Sequence, residues 1–117
     1  SANSMTIRGE GSAQTSIQQG LLKAWIQMSD STTNDSFNVG STTDNGTGEQ
    51  TMTLSTNMGN DDYCFNACSS DHTNDSRHIF HDGANPSTSA FRCRSTNSSN
   101  SDVDSSFQSM SIAGDLA

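Results

Sequence analysis

From residue 21 onward, apolar side chains recur at alternate positions in short runs, and no stretch sustains helical spacing. Such runs bury one face of an extended segment and leave the other for solvent or a second layer. In the segment 21–28, Leu22, Ala24, Ile26 and Met28 share one side, and Leu21, Lys23, Trp25 and Gln27 the other. That segment also fits two helical turns, but a lone helix of this length is marginal without a partner, which favours a strand. Phe37 and Val39 share a face in a short strand over 36–41, and Thr51-Met52-Thr53-Leu54-Ser55 alternates cleanly. Tyr63, Phe65 and Ala67 alternate with Cys64, Asn66 and Cys68; 77–81 forms a further short strand; Phe91 and Cys93 lie opposite Arg92 and Arg94. The segment 103–112 closes the chain, with Val103 and Phe107 on one face and Met110 and Ile112 on the other. Turn-forming Asn, Asp, Ser and Gly fill 30–35, 44–48, 57–62, 71–76, 82–87 and 97–102. About seven short strands at roughly ten-residue spacing predict an all-β, antiparallel β-sandwich.

Composition says what this sandwich lacks. Leu, Ile, Val and Phe supply only 16 of 117 residues, a level that by itself suggests disorder. The charged fraction, however, is only 15%, and the polarity comes from 22 Ser, 13 Thr and 11 Asn. Thr suits a pleated backbone, and Asn and Ser suit tight turns. One domain of this length with so little apolar surface is expected to gain stability by burial between chains. Residues 1–20 hold three of the nine glycines, with Ile7 and Ile17 isolated, and read as a linker ahead of a domain over 21–117. The first residue is Ser1 rather than Met, which fits a processed chain or the end of something longer. Trp25, the only tryptophan, stands beside Leu21 and Leu22 where that thin segment enters the domain, and the three are expected to anchor one chain against another.

A net charge of −8 disfavours nucleic acid and anionic lipid, both of which are bound through clustered Lys and Arg. No apolar run approaches the roughly 20 residues that a membrane helix needs, so membrane insertion is not expected. Cys64, Cys68 and Cys93 are an odd number. On one strand Cys64 and Cys68 would share a face about 13 Å apart, too far to bond each other or share a zinc ion. Pairing of either with Cys93 stays open beside the simpler expectation of three buried thiols.

Catalytic signatures are missing: there is no G-x-S-x-G, no phosphate-binding glycine loop and no H-E-x-x-H. Asp61-Asp62 and Asp102-x-Asp104 could be read as paired carboxylates, but both lie in turn sequence. His78 and His81 fall on opposite faces of a strand, and no Asp-rich loop has calcium-binding spacing. The Asn-x-Ser/Thr triplets at Asn34, Asn45, Asn74 and Asn97 are about what chance gives in so Ser/Thr-rich a chain. No enzymatic activity, cofactor or metal is expected.

Three segments carry a family resemblance: Gln18-Gln19-Gly20-Leu21-Leu22-Lys23-Ala24-Trp25, then Asp35-Ser36-Phe37-Asn38-Val39, then Thr43-Asp44-Asn45-Gly46-Thr47-Gly48. This succession, an alternating strand leading to Met58 and the ending Ile112-Ala113-Gly114-Asp115-Leu116-Ala117 resemble the C-terminal tip of phage tail fibre proteins. Cys64 stands where an aliphatic residue would be ordinary in that group, and the long shaft and virion-attaching segment usual there are not among these residues. The resemblance implies an intertwined or closely packed homotrimer on the virion, with residues 1–20 continuing a fibre shaft. It further implies other fibre or tail proteins as partners and adhesion to a host cell-surface glycan or protein. A trimerisation or capping module without receptor contact is the alternative. Under the adhesive reading, 71–77 and 81–85 hold the densest planar hydrogen-bonding groups, which makes Asp71, His72, Asn74, Arg77, His81, Asp82 and Asn85 the receptor-binding candidates.

Overall fold

The computed structural model describes residues 5–8, 11–12, 14–70, 75–83 and 86–117. A small hairpin, β1 (Thr6–Arg8) with β2 (Gln14–Ser16), and one helical turn, α1 (Ile17–Gly20), precede the body. Eight further strands follow: β3 (Leu22–Ser29), β4 (Thr32–Phe37), β5 (Val39–Gly46), β6 (Glu49–Leu54), β7 (Cys64–Ser70), β8 (His78–His81), β9 (Ala90–Thr96) and β10 (Phe107–Ala113). They form two antiparallel four-stranded sheets, ordered β4-β3-β10-β7 and β5-β6-β9-β8. The all-β antiparallel expectation holds.

One expected strand is divided between the sheets. Phe37 ends β4 in the first sheet and Val39 begins β5 in the second, so these residues do not share a face. The hinge is Asn38, which adopts a left-handed φ of 56°. Asn tolerates that conformation better than most L-residues. Its amide donates to the carbonyls of Lys23 (2.9 Å) and Thr56 (3.0 Å), and its Oδ1 accepts from the Thr56 backbone N–H (2.7 Å). One side chain thus ties three backbone groups together across the corner. The expected turn over 30–35 is correspondingly tighter: Asp30 turns with φ 51°, and β4 already runs from Thr32. The final strand starts only at Phe107, because 103–105 dock on other elements: Val103 N–H bonds Ser95 O (3.1 Å) and Ser105 O accepts from Asp30 N–H (2.9 Å).

The core between the sheets holds Ala24, Ile26 and Met28 of β3, Met52 and Leu54 of β6, Phe91 and Cys93 of β9, and Met110 and Ile112 of β10, with Met58 and Tyr63 at one end. Four of the five methionines are buried here. Their unbranched, polarizable side chains fill irregular space, which suits a core with few aliphatic residues. A polar layer crosses the same interior. The Cys93 thiol points at Gln50 Oε1 (3.8 Å) and Gln108 Oε1 (4.0 Å), and the Ser95 and Ser105 hydroxyls are 2.7 Å apart.

All three cysteines are free: Cys93 is buried, while Cys64 and Cys68 lie exposed on the outer face of β7. A bond to Cys93 is therefore ruled out, and so is burial of all three. The alternation of β7 aims Cys93's potential partners away from the core, although Cys64 and Cys68 do share one face as their spacing requires.

Asn38→Ala should lower stability by about 2–3 kcal/mol, combining lost hydrogen bonds with left-handed strain. Asn38→Gly, which keeps the backbone conformation free, should lose less; urea denaturation of both variants separates the two contributions. Burial pushes the Cys93 thiol from 9.0 up to about 11. Burial, reinforced by the Asp61 carboxylate, pushes the Tyr63 phenol from 10.0 up to about 12. The folded chain keeps these protons where the unfolded chain has released them, so their stabilising effect is full below pH 9.0. It is lost as pH rises from 9.0 through about 11 for Cys93 and from 10.0 through about 12 for Tyr63. Cys93→Ala should accordingly shrink the difference between urea midpoints measured at about pH 8 and about pH 10.5.

Candidate functional site

The outward face of the β5-β6-β9-β8 sheet carries a network of ion pairs built on Arg92 and Arg94. The alternation of β9 that buries Phe91 and Cys93 turns Arg92 and Arg94 outward, and the register sets Glu49 of β6 beside Arg94 and Thr51 beside Arg92. Arg92 Nη2 donates to Glu49 Oε2. Its Nε also lies 3.1 Å from Asp82 Oδ2, a charge contact not aligned as a hydrogen bond. Arg94 binds Asp102 through two parallel bonds, Nε to Oδ1 (2.6 Å) and Nη2 to Oδ2 (3.0 Å). Asp102, by hydrogen bond and by charge, holds the Arg94 guanidinium above its ordinary pKa, with Glu49 and Asp82 adding to the effect. Exposed ion pairs of this kind contribute little to stability. Their stronger consequence is geometric, because each planar guanidinium is fixed in orientation.

Phe80 completes the site. It stands cross-strand from Arg94 on the outward side of β8 and is 41% exposed, with His78 exposed two residues before it on the same side. A flat apolar ring thus borders a fixed array of carboxylates and guanidinium groups, with Thr51 beyond them holding the Asn45 amide at 2.7 Å.

Gly48 seats Glu49 in this array. It has φ +73°, and a Cβ there would come within 2.6 Å of the Ser95 carbonyl and 2.9 Å of the Val103 carbonyl. Its N–H donates to Asp104 Oδ1 (2.8 Å), and its carbonyl accepts from Ser95 N–H (2.8 Å).

The receptor-binding candidates read from the sequence are distributed as follows. Asp71, His72, Asn74 and Asn85 lie outside the described residues. Asp82 belongs to the array through Arg92. Arg77, whose side chain is 9% exposed, pairs with Asp75 at 2.7 Å, and Asp75 also accepts from Ser98 Oγ (3.0 Å). Those two hydrogen bonds, Arg77 first, hold the Asp75 carboxyl below its usual range. His81 faces inward, half-buried, edge-on to Phe65 with ring centroids 5.9 Å apart. The interface candidates occupy the opposite side of the molecule: Leu21 and Leu22 are 57% and 48% exposed, and Trp25 is half-buried on the outer face of β3.

Glu49, Phe80, Arg92, Arg94 and Asp102 were not among the receptor-binding candidates read from the sequence, although Asp102 was weighed there as half of a carboxylate pair. One signal pointed to them: three of the five basic residues fall between 77 and 94 in an acidic chain, two of them alternating with core residues. Among the described residues no three His, Cys, Asp or Glu side chains cluster as metal ligands, and no helix is long and apolar enough to cross a membrane. Comparison with family models, with curated proteins and with solved structures returned no match.

Gly48→Ala should destabilise the fold by about 2 kcal/mol or more, since both the conformation and the space forbid a Cβ. Thermal unfolding checks this, with Gly46→Ala, which meets nothing within 4 Å, as the milder comparison.

Proposed function

We propose that this chain is the receptor-facing tip domain of a phage tail fibre, a homotrimer on the virion that adheres to a bacterial surface glycan without catalysing a reaction. The observation that carries the adhesive part is the juxtaposition of Phe80 with the oriented Arg92–Glu49–Asp82 and Arg94–Asp102 groups. A sugar ring presents a C–H face that packs on an aromatic ring and an edge of hydroxyls that pair with carboxylates and guanidinium groups. The resemblance to fibre tips, which covers most of residues 18–117, supports the viral setting and the partnership with other fibre or tail proteins.

The array carries two positive and three negative side chains in a chain of net charge −8, which favours neutral sugars over polyanionic ones. A weak single site suffices: three copies per tip, and many tips per virion, raise avidity through effective concentration, so single-site affinity near the millimolar range is enough. A capping module without receptor contact is the competing function, favoured by the apolar face on the opposite sheet.

Mass by light scattering should give a trimer, and the assembled chain should bind purified surface polysaccharide from a susceptible bacterium. Phe80→Ala should weaken single-site binding about tenfold while leaving the mass unchanged. Binding to no cell surface or glycan, with the trimer intact, would favour the cap; release of oligosaccharide would make the protein an enzyme.

A further inference from the structure

The outward face of the β4-β3-β10-β7 sheet has a bulky half and a shallow half. On β3 and β4, Leu22, Trp25 and Phe37 project, Trp25 in register with Phe37, which is 54% exposed. On β10 and β7, small side chains leave an open depression of about 400 Å³ bounded by Ser109, Ser111, Asn66 and Cys68, with Trp25 and Gln27 on its other flank. Cys68 Sγ lies 3.1 Å from Ser109 Oγ at its floor, and Phe107, 39% exposed, extends the apolar surface.

We propose that this face is where copies of this chain pack on one another, the Leu22–Trp25–Phe37 ridge of one copy seated in the Ser109–Ser111–Cys68 depression of the next. This rests on the self-association in the proposed function and on the expected Leu22 and Trp25 anchors, and adds Phe37, the depression and the pairing of ridge with depression. Charge identifies the occupant as the chain itself. Copies bearing −8 repel one another except where their surfaces are neutral, and these four strands contain only two charged residues, Asp35 and Lys23, the latter 5% exposed. A basic partner would be drawn to the acidic surface elsewhere. Ridge and depression on one face also let each copy use both halves at once, which a closed ring requires. Leu22, Phe37 and Phe107 are three of the four most exposed large hydrophobics within the two sheets, the fourth being Phe80 on the opposite side.

Two reporters are built in, because the exposed thiols of Cys64 and Cys68 lie on this face and Cys93 is buried. In the full chain, mass in solution and alkylation of these thiols are measured together. The native chain should be assembled, with Cys64 and Cys68 labelled about tenfold more slowly than in a monomeric Trp25→Asp variant. Ser111→Arg, which fills the depression without entering the core, should do the same and decides the matter if Trp25→Asp fails to fold. Thr53→Arg on the opposite sheet should change neither mass nor labelling. Assembly that survives both Trp25→Asp and Ser111→Arg, or native thiols as reactive as those of a monomer, overturns this face while leaving self-association standing. A dimer with protected thiols supports the face and overturns the threefold part of the proposed function. A monomeric native chain overturns both.

Discussion

Asn38 sets the architecture. A chain running on from Phe37 to Val39 as one strand would bring both side chains to one face of one sheet. The left-handed turn at Asn38 instead sends the chain across to the second sheet, and its amide is bound to Lys23 and Thr56 on either side of the gap. Three hydrogen bonds to backbone groups, each worth about 1 kcal/mol, hold a conformation that costs about 1–2 kcal/mol, so the corner is stable once its partners are in place. Everything downstream inherits the choice. Phe37 joins Trp25 on an outer surface, while Val39 packs against the core.

The interior that results is thin and partly polar. Methionines, one phenylalanine and a few aliphatic side chains share it with Gln50, Gln108, Cys93, Ser95 and Ser105. Polar groups in a core bring little net stability, but they penalise any packing that leaves them unpartnered, so they favour one register over its neighbours. A core of this kind leaves a small margin, and the apolar outer face of the β4-β3-β10-β7 sheet is surface whose burial between copies would widen it. The two outer faces are thus chemically opposite: one nearly without charge, the other built around two arginines and three carboxylates with an aromatic ring at its border. Under the proposed function the first faces other copies and the second faces the host.

Much of the fold was legible because alternation is a local signal. Ala24, Ile26 and Met28, Met52 and Leu54, and Phe91 with Cys93 were grouped on shared faces by spacing alone, and all are buried, whereas Leu22, grouped with Ala24, is turned outward by the register shift at Ala113. Spacing failed where a single residue changed direction, as at Asn38, and where polar residues occupy inward positions, as at Gln50 and Gln108. The candidate site was less legible. Arg92 and Arg94 could be seen to point outward, but their partners Glu49, Asp82 and Asp102 come from three other parts of the chain.

By itself, then, the sequence determined that this chain makes short antiparallel strands with a narrow core, no sustained helix and a strongly acidic surface, because period-two alternation and side-chain charge are properties of neighbouring residues. Only the tertiary structure decided which strands share a sheet, which way the cysteines point and which carboxylates meet the arginines. Those outcomes depend on cross-strand register and on one corner in the backbone, and both are fixed by contacts between residues far apart in the chain.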